Sequence, residues 1–199
     1  MPEQLWLPGL EAPPLPTDGL FFAIYPDANT AAGIAKFAQQ FCEDTRVRSG
    51  VRGKPIAANR LHVTLRHLGN FAGGLPADLV EGARRAAASI SMAPFTVEFD
   101  ALASFAKKPR LGPAVLVGEH GVHGLQALHD ALEAGLQDAG TEPDARFTPH
   151  VTLAYGLPWV ERRAAEPACW NVREFALMHS LLGRSKHLVL ARWPLAGQS

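Results

Sequence analysis

The chain has 199 residues, 47% hydrophobic and 19% charged, and its 19 Lys and Arg balance 19 Asp and Glu for a net charge of zero. That composition predicts a globular domain with a core of its own. It excludes a membrane span of roughly 18 to 20 apolar residues, a low-complexity chain, and a protein that coats nucleic acid through bulk charge.

The first 18 residues, MPEQLWLPGLEAPPLPTD, are proline-rich and lack the basic and apolar regions of a secretory signal. They read as an extended arm ahead of a single domain over 19–199. Two cysteines, Cys42 and Cys169, do not make a disulfide framework. Without a signal they are expected to be free thiols in a reducing cytoplasm.

LFFAIYP (20–26) predicts a buried strand ended by proline. Ile34, Phe37, Ala38, Phe41 and Cys42 follow at helical spacing. Residues 49–59 are rich in Gly and Arg and read as loop. Arg46, Arg48, Arg52, Lys54, Arg60 and Arg66 form a stretch that no acid interrupts from 46 to 66, a local basic surface or a solvated loop. LHVTLRHLG (61–69) alternates, with Leu61, Val63 and Leu65 on one face and His62, Thr64 and Arg66 on the other. A helix is predicted over 77–91 and a strand over 95–102. PAVLVG (113–118) predicts another buried strand, and Leu125, Leu128, Leu132 and Leu136 stripe a helix over 122–138. RFTPHVTLAYG (146–156) is the next strand. The tail predicts a hairpin of 173–182 and 187–195 around Gly183.

HVTL occurs twice, at 62–65 and 150–153. Each copy follows strand, helix and loop, with an arginine shortly ahead (Arg60, Arg146) and a glycine shortly after (Gly69, Gly156). This pattern predicts two lobes of one α+β domain related by approximate internal symmetry. Residues two apart on a strand share a face, so His62 lies with Thr64 and His150 with Thr152. If the lobes close on one cleft, one imidazole can take a proton and the other give one. Threonine hydroxyls can donate to anionic oxygens. That set suits attack on a phosphodiester, with no metal, cofactor or covalent nucleophile required.

Two histidines and a carboxylate would suit a metal, but neither motif strand brings a carboxylate. His120 and His123 in EHGVH sit among glycines that suggest a turn. No G-x-S-x-G supports a nucleophilic serine. His129 is expected half-exposed beside a helical stripe, His179 structural, and Phe147 in the core. His67, ending the motif strand, is a further candidate for substrate contact.

The paired motifs, with LFFAIYP, LHVTLRHLG, RFTPHVTLAYG and the closing FALMHSLLG and HLVLARWPL, resemble the two-histidine phosphoesterase superfamily. Within it they resemble most the RNA 2',3'-cyclic phosphodiesterases, long called 2'-5' RNA ligases. The resemblance implies a bilobal fold with antiparallel sheets around a central cleft. It implies hydrolysis of terminal 2',3'-cyclic phosphates to 2'-phosphates, with His62 as acid, His150 as base, and Thr64 and Thr152 holding phosphate oxygens. Three positions depart from the family. His67 stands where an aromatic is frequent, Tyr155 where an arginine is usual, and His187 where a tyrosine is common. Arg66, placed on the His62 face by alternation, is a substitute phosphate contact, and Tyr155 a substrate neighbour. The expected partners are RNA cyclic phosphate ends or small cyclic nucleotides, without a membrane, for a monomeric enzyme. The alternatives are the same chemistry on a small nucleotide or 2'-5' oligonucleotide, 2'-5' ligation, or a module that binds RNA ends without turnover.

Overall fold

The computed structural model describes residues 14–105, 110–143 and 146–197. Most of the proline-rich arm therefore lies outside the described residues. β1 (Asp18–Ile24) leads into α1 (Ala28–Ser49), the two-residue β2 (Lys54–Pro55), a 3-10 turn (Ala58–Arg60) and β3 (Val63–Phe71). α2 (Ala77–Ala88), β4 (Phe95–Ser104), β5 (Gly112–Val117) and α3 (His123–Asp138) follow. β6 (His150–Leu157), β7 (Arg163–Val172), β8 (Glu174–Leu181) and β9 (Lys186–Pro194) complete the chain.

The strands form two antiparallel sheets, ordered β3-β1-β8-β9 and β2-β6-β5-β4-β7. Each carries one HVTL strand. β1 is buried along its whole length because β3 and β8 flank it. Its alternate residues feed two separate clusters. Leu20, Phe22 and Ile24 join the main core, while Phe21 and Ala23 face the other side with Ala176 and Met178.

α1 is longer than its apolar stripe. Asp27 caps it by accepting from the backbone N–H of Asn29 and Thr30 at 3.0 and 2.9 Å. Gly50, at φ 71°, ends it in the left-handed conformation. The helix thus takes in Arg46 and Arg48, and Arg46 pairs with Glu43 one turn away. The tail hairpin forms as β8 and β9.

Two strands were not legible. β2 is only two residues long. β7 contains Pro167 and little alternation, and it survives because it lies at the sheet edge, where a missing N–H costs no ladder bond.

Two placements differ from the alternation. β3 slips register against β1 between Phe22 and Ala23, so Phe22 faces Arg66 while Ala23 faces Thr64. The extra residue, Leu65, turns Arg66 to the core side. There Arg66 Nε lies 2.5 Å from Glu133 Oε1 of α3, with both side chains 11% exposed. The expectation that Arg66 shares the His62 face is therefore corrected. His129 is also buried rather than half-exposed, at 4%. Its ring stacks on Phe147, 4.4 Å between centroids, and its Nε2 lies 4.0 Å from Glu133. Phe147 packs against the core, where it was expected.

The Arg66–Glu133 pair ties α3 to the first motif strand. Removing one partner leaves an uncompensated charge. Glu133→Ala should lower unfolding free energy by about 3 kcal/mol, read as a fall in urea midpoint. Arg66→Met with Glu133→Leu should recover most of that loss.

Candidate active site

The cleft lies between the two motif strands. The Arg60 backbone carbonyl accepts a hydrogen bond from His62 Nδ1 at 2.7 Å. In the second lobe the Thr148 carbonyl accepts from His150 Nδ1 at 2.8 Å. In both cases the acceptor lies two residues before the histidine. A carbonyl can only accept, so each Nδ1 carries the proton and each neutral ring keeps its Nε2 lone pair. The same local device sets the tautomer of both imidazoles and stops them rotating.

The bulge after the motif also recurs. β6 slips against β5 between Val115 and Ala114, which face Thr152 and Ala154. Leu153 is the extra residue, as Leu65 is in β3. On a regular strand the fifth residue after each histidine would point away from it. The bulge restores it to the histidine face, so His67 and Tyr155 both line the cleft. Tyr155 is 52% exposed, at the rim.

The cleft encloses about 280 Å³. It brings together His62, Thr64, His150, Thr152 and Tyr155 with Phe21, Arg60, His67, Asn70, Ser180 and His187. Arg66 is not among the lining residues. A roomier hollow of about 440 Å³, lined by Phe41, Arg48, Trp159 and Arg163 among others, contains no motif residue. Size alone does not locate the chemistry.

Aromatic packing positions the rings further. Phe21 lies 5.4 Å from His62 and 5.2 Å from His187, centroid to centroid. His62 and His187 meet edge to face at 5.4 Å. Phe105 meets His150 edge to face at 4.8 Å. Burial pushes the His62 pKa down despite its bond to the Arg60 carbonyl, and the charges of His150 and Arg60 lower it further. His187 is pushed down to about 4, by burial first and then by His62 and Arg60.

Arg60, Asn70, Ser180 and the contact of His187 with His62 were not predicted as site features. Arg60 precedes the strand in a 3-10 turn, where alternation says nothing about direction. Ser180 and His187 arrive on β8 and β9, far along the chain, and only strand pairing brings them here. His179 bonds Asp18 across β1 and β8, Nε2 to Oδ1 at 2.6 Å, consistent with a structural role. Among the described residues, no three of His, Cys, Asp and Glu are grouped as metal ligands would be. No helix among them is long and apolar enough to cross a membrane.

Two facing antiparallel sheets, each presenting a His-x-Thr strand to one cleft, define a two-histidine phosphoesterase fold. The model of the 2'-5' RNA ligase superfamily matches residues 31–184, and the chain belongs to that family. It is 33% identical over 115 residues to the RNA 2',3'-cyclic phosphodiesterase of Aeropyrum pernix, a match covering 56% of this chain and 61% of that protein. E. coli LigT, solved with 3'-AMP, superposes with a TM-score of 0.72 at 26% identity over 89% of this chain and 98% of its own. A Thermus thermophilus protein superposes with a TM-score of 0.68 at 26% identity, covering 91% of this chain and all of its own.

A histidine whose folded pKa is depressed contributes stability that is present above the unfolded value and lost as pH falls. For His187 the window runs from the ordinary value of 6.5 down to about 4. The parent should therefore lose urea stability between pH 7 and pH 5. His187→Asn should lose less over the same interval. Equal losses would show that His187 is not the group responsible.

Proposed function

We propose that the protein hydrolyses RNA 2',3'-cyclic phosphate ends to 2'-phosphates, using His62 and His150 as its proton-transfer pair and no metal. The observation that carries this reading is the matched pair of imidazoles, each with Nδ1 engaged by a carbonyl and Nε2 left for chemistry, beside two threonine hydroxyls in one cleft.

The step balances without a further group. Water attacks phosphorus while His150 Nε2 takes its proton. The bond from phosphorus to the 3'-oxygen breaks, and His62, protonated on Nε2, gives its proton to that oxygen. The phosphate stays on the 2'-oxygen. Thr64 and Thr152 hydroxyls donate to the non-bridging oxygens as charge builds on them. Run with a ribose 5'-hydroxyl in place of water, the same transfers yield a 2'-5' linkage, which is the ligase direction.

The free cleft holds His62 neutral more readily than an exposed imidazole, and the anionic phosphodiester opposes that by favouring the imidazolium. The assignment of acid and base therefore has a pH signature. With His62 as the acid, the descending limb of kcat/KM should lie at lower pH than that of kcat, since only kcat reports the substrate-bound cleft. A depressed ascending limb in kcat/KM would instead make His62 the base.

A second reading, the same chemistry on a small cyclic nucleotide, is favoured by the size of the cleft. About 280 Å³ suits a terminal nucleotide better than a strand. Competition by long single-stranded RNA, with its salt dependence, separates the two.

The central test incubates the protein and a short RNA ending in a 2',3'-cyclic phosphate with EDTA. A 2'-phosphate product is expected. His62→Ala and His150→Ala should each reduce the rate by about 10² to 10⁴. Activity abolished by EDTA, or retained in both variants, would overturn the mechanism. Tight binding with no product on prolonged incubation would make the chain a binding module.

A further inference from the structure

Arg60 occupies a position that its own structural role does not explain. Its backbone carbonyl orients His62, a task any residue could perform. Its side chain lines the cleft beside His62 and His187. Among the described residues that line the cleft it is the sole Arg or Lys, and hence the sole fixed positive charge.

Some arginines of the fold have carboxylate partners, as Arg46 has Glu43, Arg66 has Glu133, Arg162 has Glu119 and Arg192 has Glu174. Others with none among the described residues, such as Arg85, Arg173 and Arg184, are exposed, whereas Arg60 is half-buried. Among the described residues no carboxylate pairs with Arg60. Its Nε is shielded from water and meets no acceptor. A guanidinium N–H removed from water without an acceptor is costly, and an anion bound at the terminal N–H groups would offset that cost. Among the described residues no hydrogen bond joins the guanidinium to the rings of His62 or His187, and its positive charge helps to keep both rings neutral. The partner this chemistry calls for is an anion, and the planar fork of N–H donors suits two oxygens of one phosphate.

We propose that Arg60 is the phosphate-binding cation of the cleft, with its terminal N–H groups, which are not shielded as Nε is, donating to the non-bridging oxygens of the phosphodiester. This rests on the reading of the cleft as a phosphodiester site and adds the residue that holds the charge there. Thr64 and Thr152 then serve as neutral donors around a phosphate whose position Arg60 sets. Its place two residues before His62 couples the two functions. One residue orients an imidazole through its carbonyl and presents the phosphate to that imidazole through its side chain.

The test titrates inorganic phosphate into the parent, Arg60→Gln and Arg60→Lys, with circular dichroism and urea midpoints establishing that each is folded. Arg60→Gln should weaken phosphate binding by about 10- to 100-fold. Arg60→Lys should fall between, since an ammonium restores charge but not the fork. In the parent, phosphate should shift the Arg60 Nε–H resonance in a nitrogen-15 correlation spectrum, a measurement that needs no variant. A folded Arg60→Gln that binds phosphate within twofold of the parent, or an Arg60 resonance unmoved at saturating phosphate, would overturn the proposal. The parallel hydrolysis assay keeps the two readings apart. Phosphate binding through Arg60 without turnover of the cyclic phosphate sinks the hydrolase alone. Turnover at unchanged KM in Arg60→Gln sinks the Arg60 proposal alone.

Discussion

The geometry of the cleft depends on a one-residue offset that recurs just after the His-x-Thr of both motif strands. In each motif strand a leucine, Leu65 or Leu153, is the extra residue of a bulge. Up to that point the strand alternates, burying Val63 and Leu65, or Val151 and Leu153, and presenting His and Thr to the cleft. After it the parity reverses, until a second slip further along each strand shifts it again. The bulge lets one strand meet two demands that strict alternation cannot. It keeps the leucine in the core and returns the side chain five residues beyond the histidine to the cleft. Arg66 and Ala154, the residues displaced by the offset, turn away from the cleft. The first found Glu133 and became part of the frame.

Orientation of the imidazoles is equally local. Both Nδ1 atoms donate to a carbonyl two residues upstream. A backbone acceptor is a good choice for this role. It carries no net charge, cannot titrate and cannot adopt another rotamer, so the tautomer it imposes persists over the whole pH range in which the ring is neutral. The cleft around the rings is poor in fixed charge. Its lining is dominated by imidazoles, hydroxyls and amides, which respond to a bound anion rather than repel or bury it. A single guanidinium amid such groups has a large influence, because few other ions there screen it.

Much of this could be read from the chain. The repeat of HVTL, its placement in two similar strand-helix-loop units and the His/Thr parity were sufficient to expect two lobes and a shared cleft. The apolar stripes located α2, α3 and the core of α1. What could not be read was non-local. β7 is an edge strand interrupted by Pro167, so its pairing with β4 depends on a partner rather than on pattern. His129 looks like a surface residue on its helix, yet Phe147 and Glu133 enclose it. Arg66 has the right alternation for the cleft and the wrong register.

The sequence by itself determined which side chains alternate, which loops and helices separate them, and that two identical catalytic-looking tetrapeptides stand in equivalent places. These are properties of neighbours along the chain, governed by strand and helix periodicity. The tertiary structure alone decided which of those side chains meet. A bulge is a relation between two strands, since the extra residue exists only relative to its partner. The same holds for the burial of Arg66, for the arrival of His187 and Ser180 beside His62, and for the place of the Arg60 guanidinium in the cleft wall.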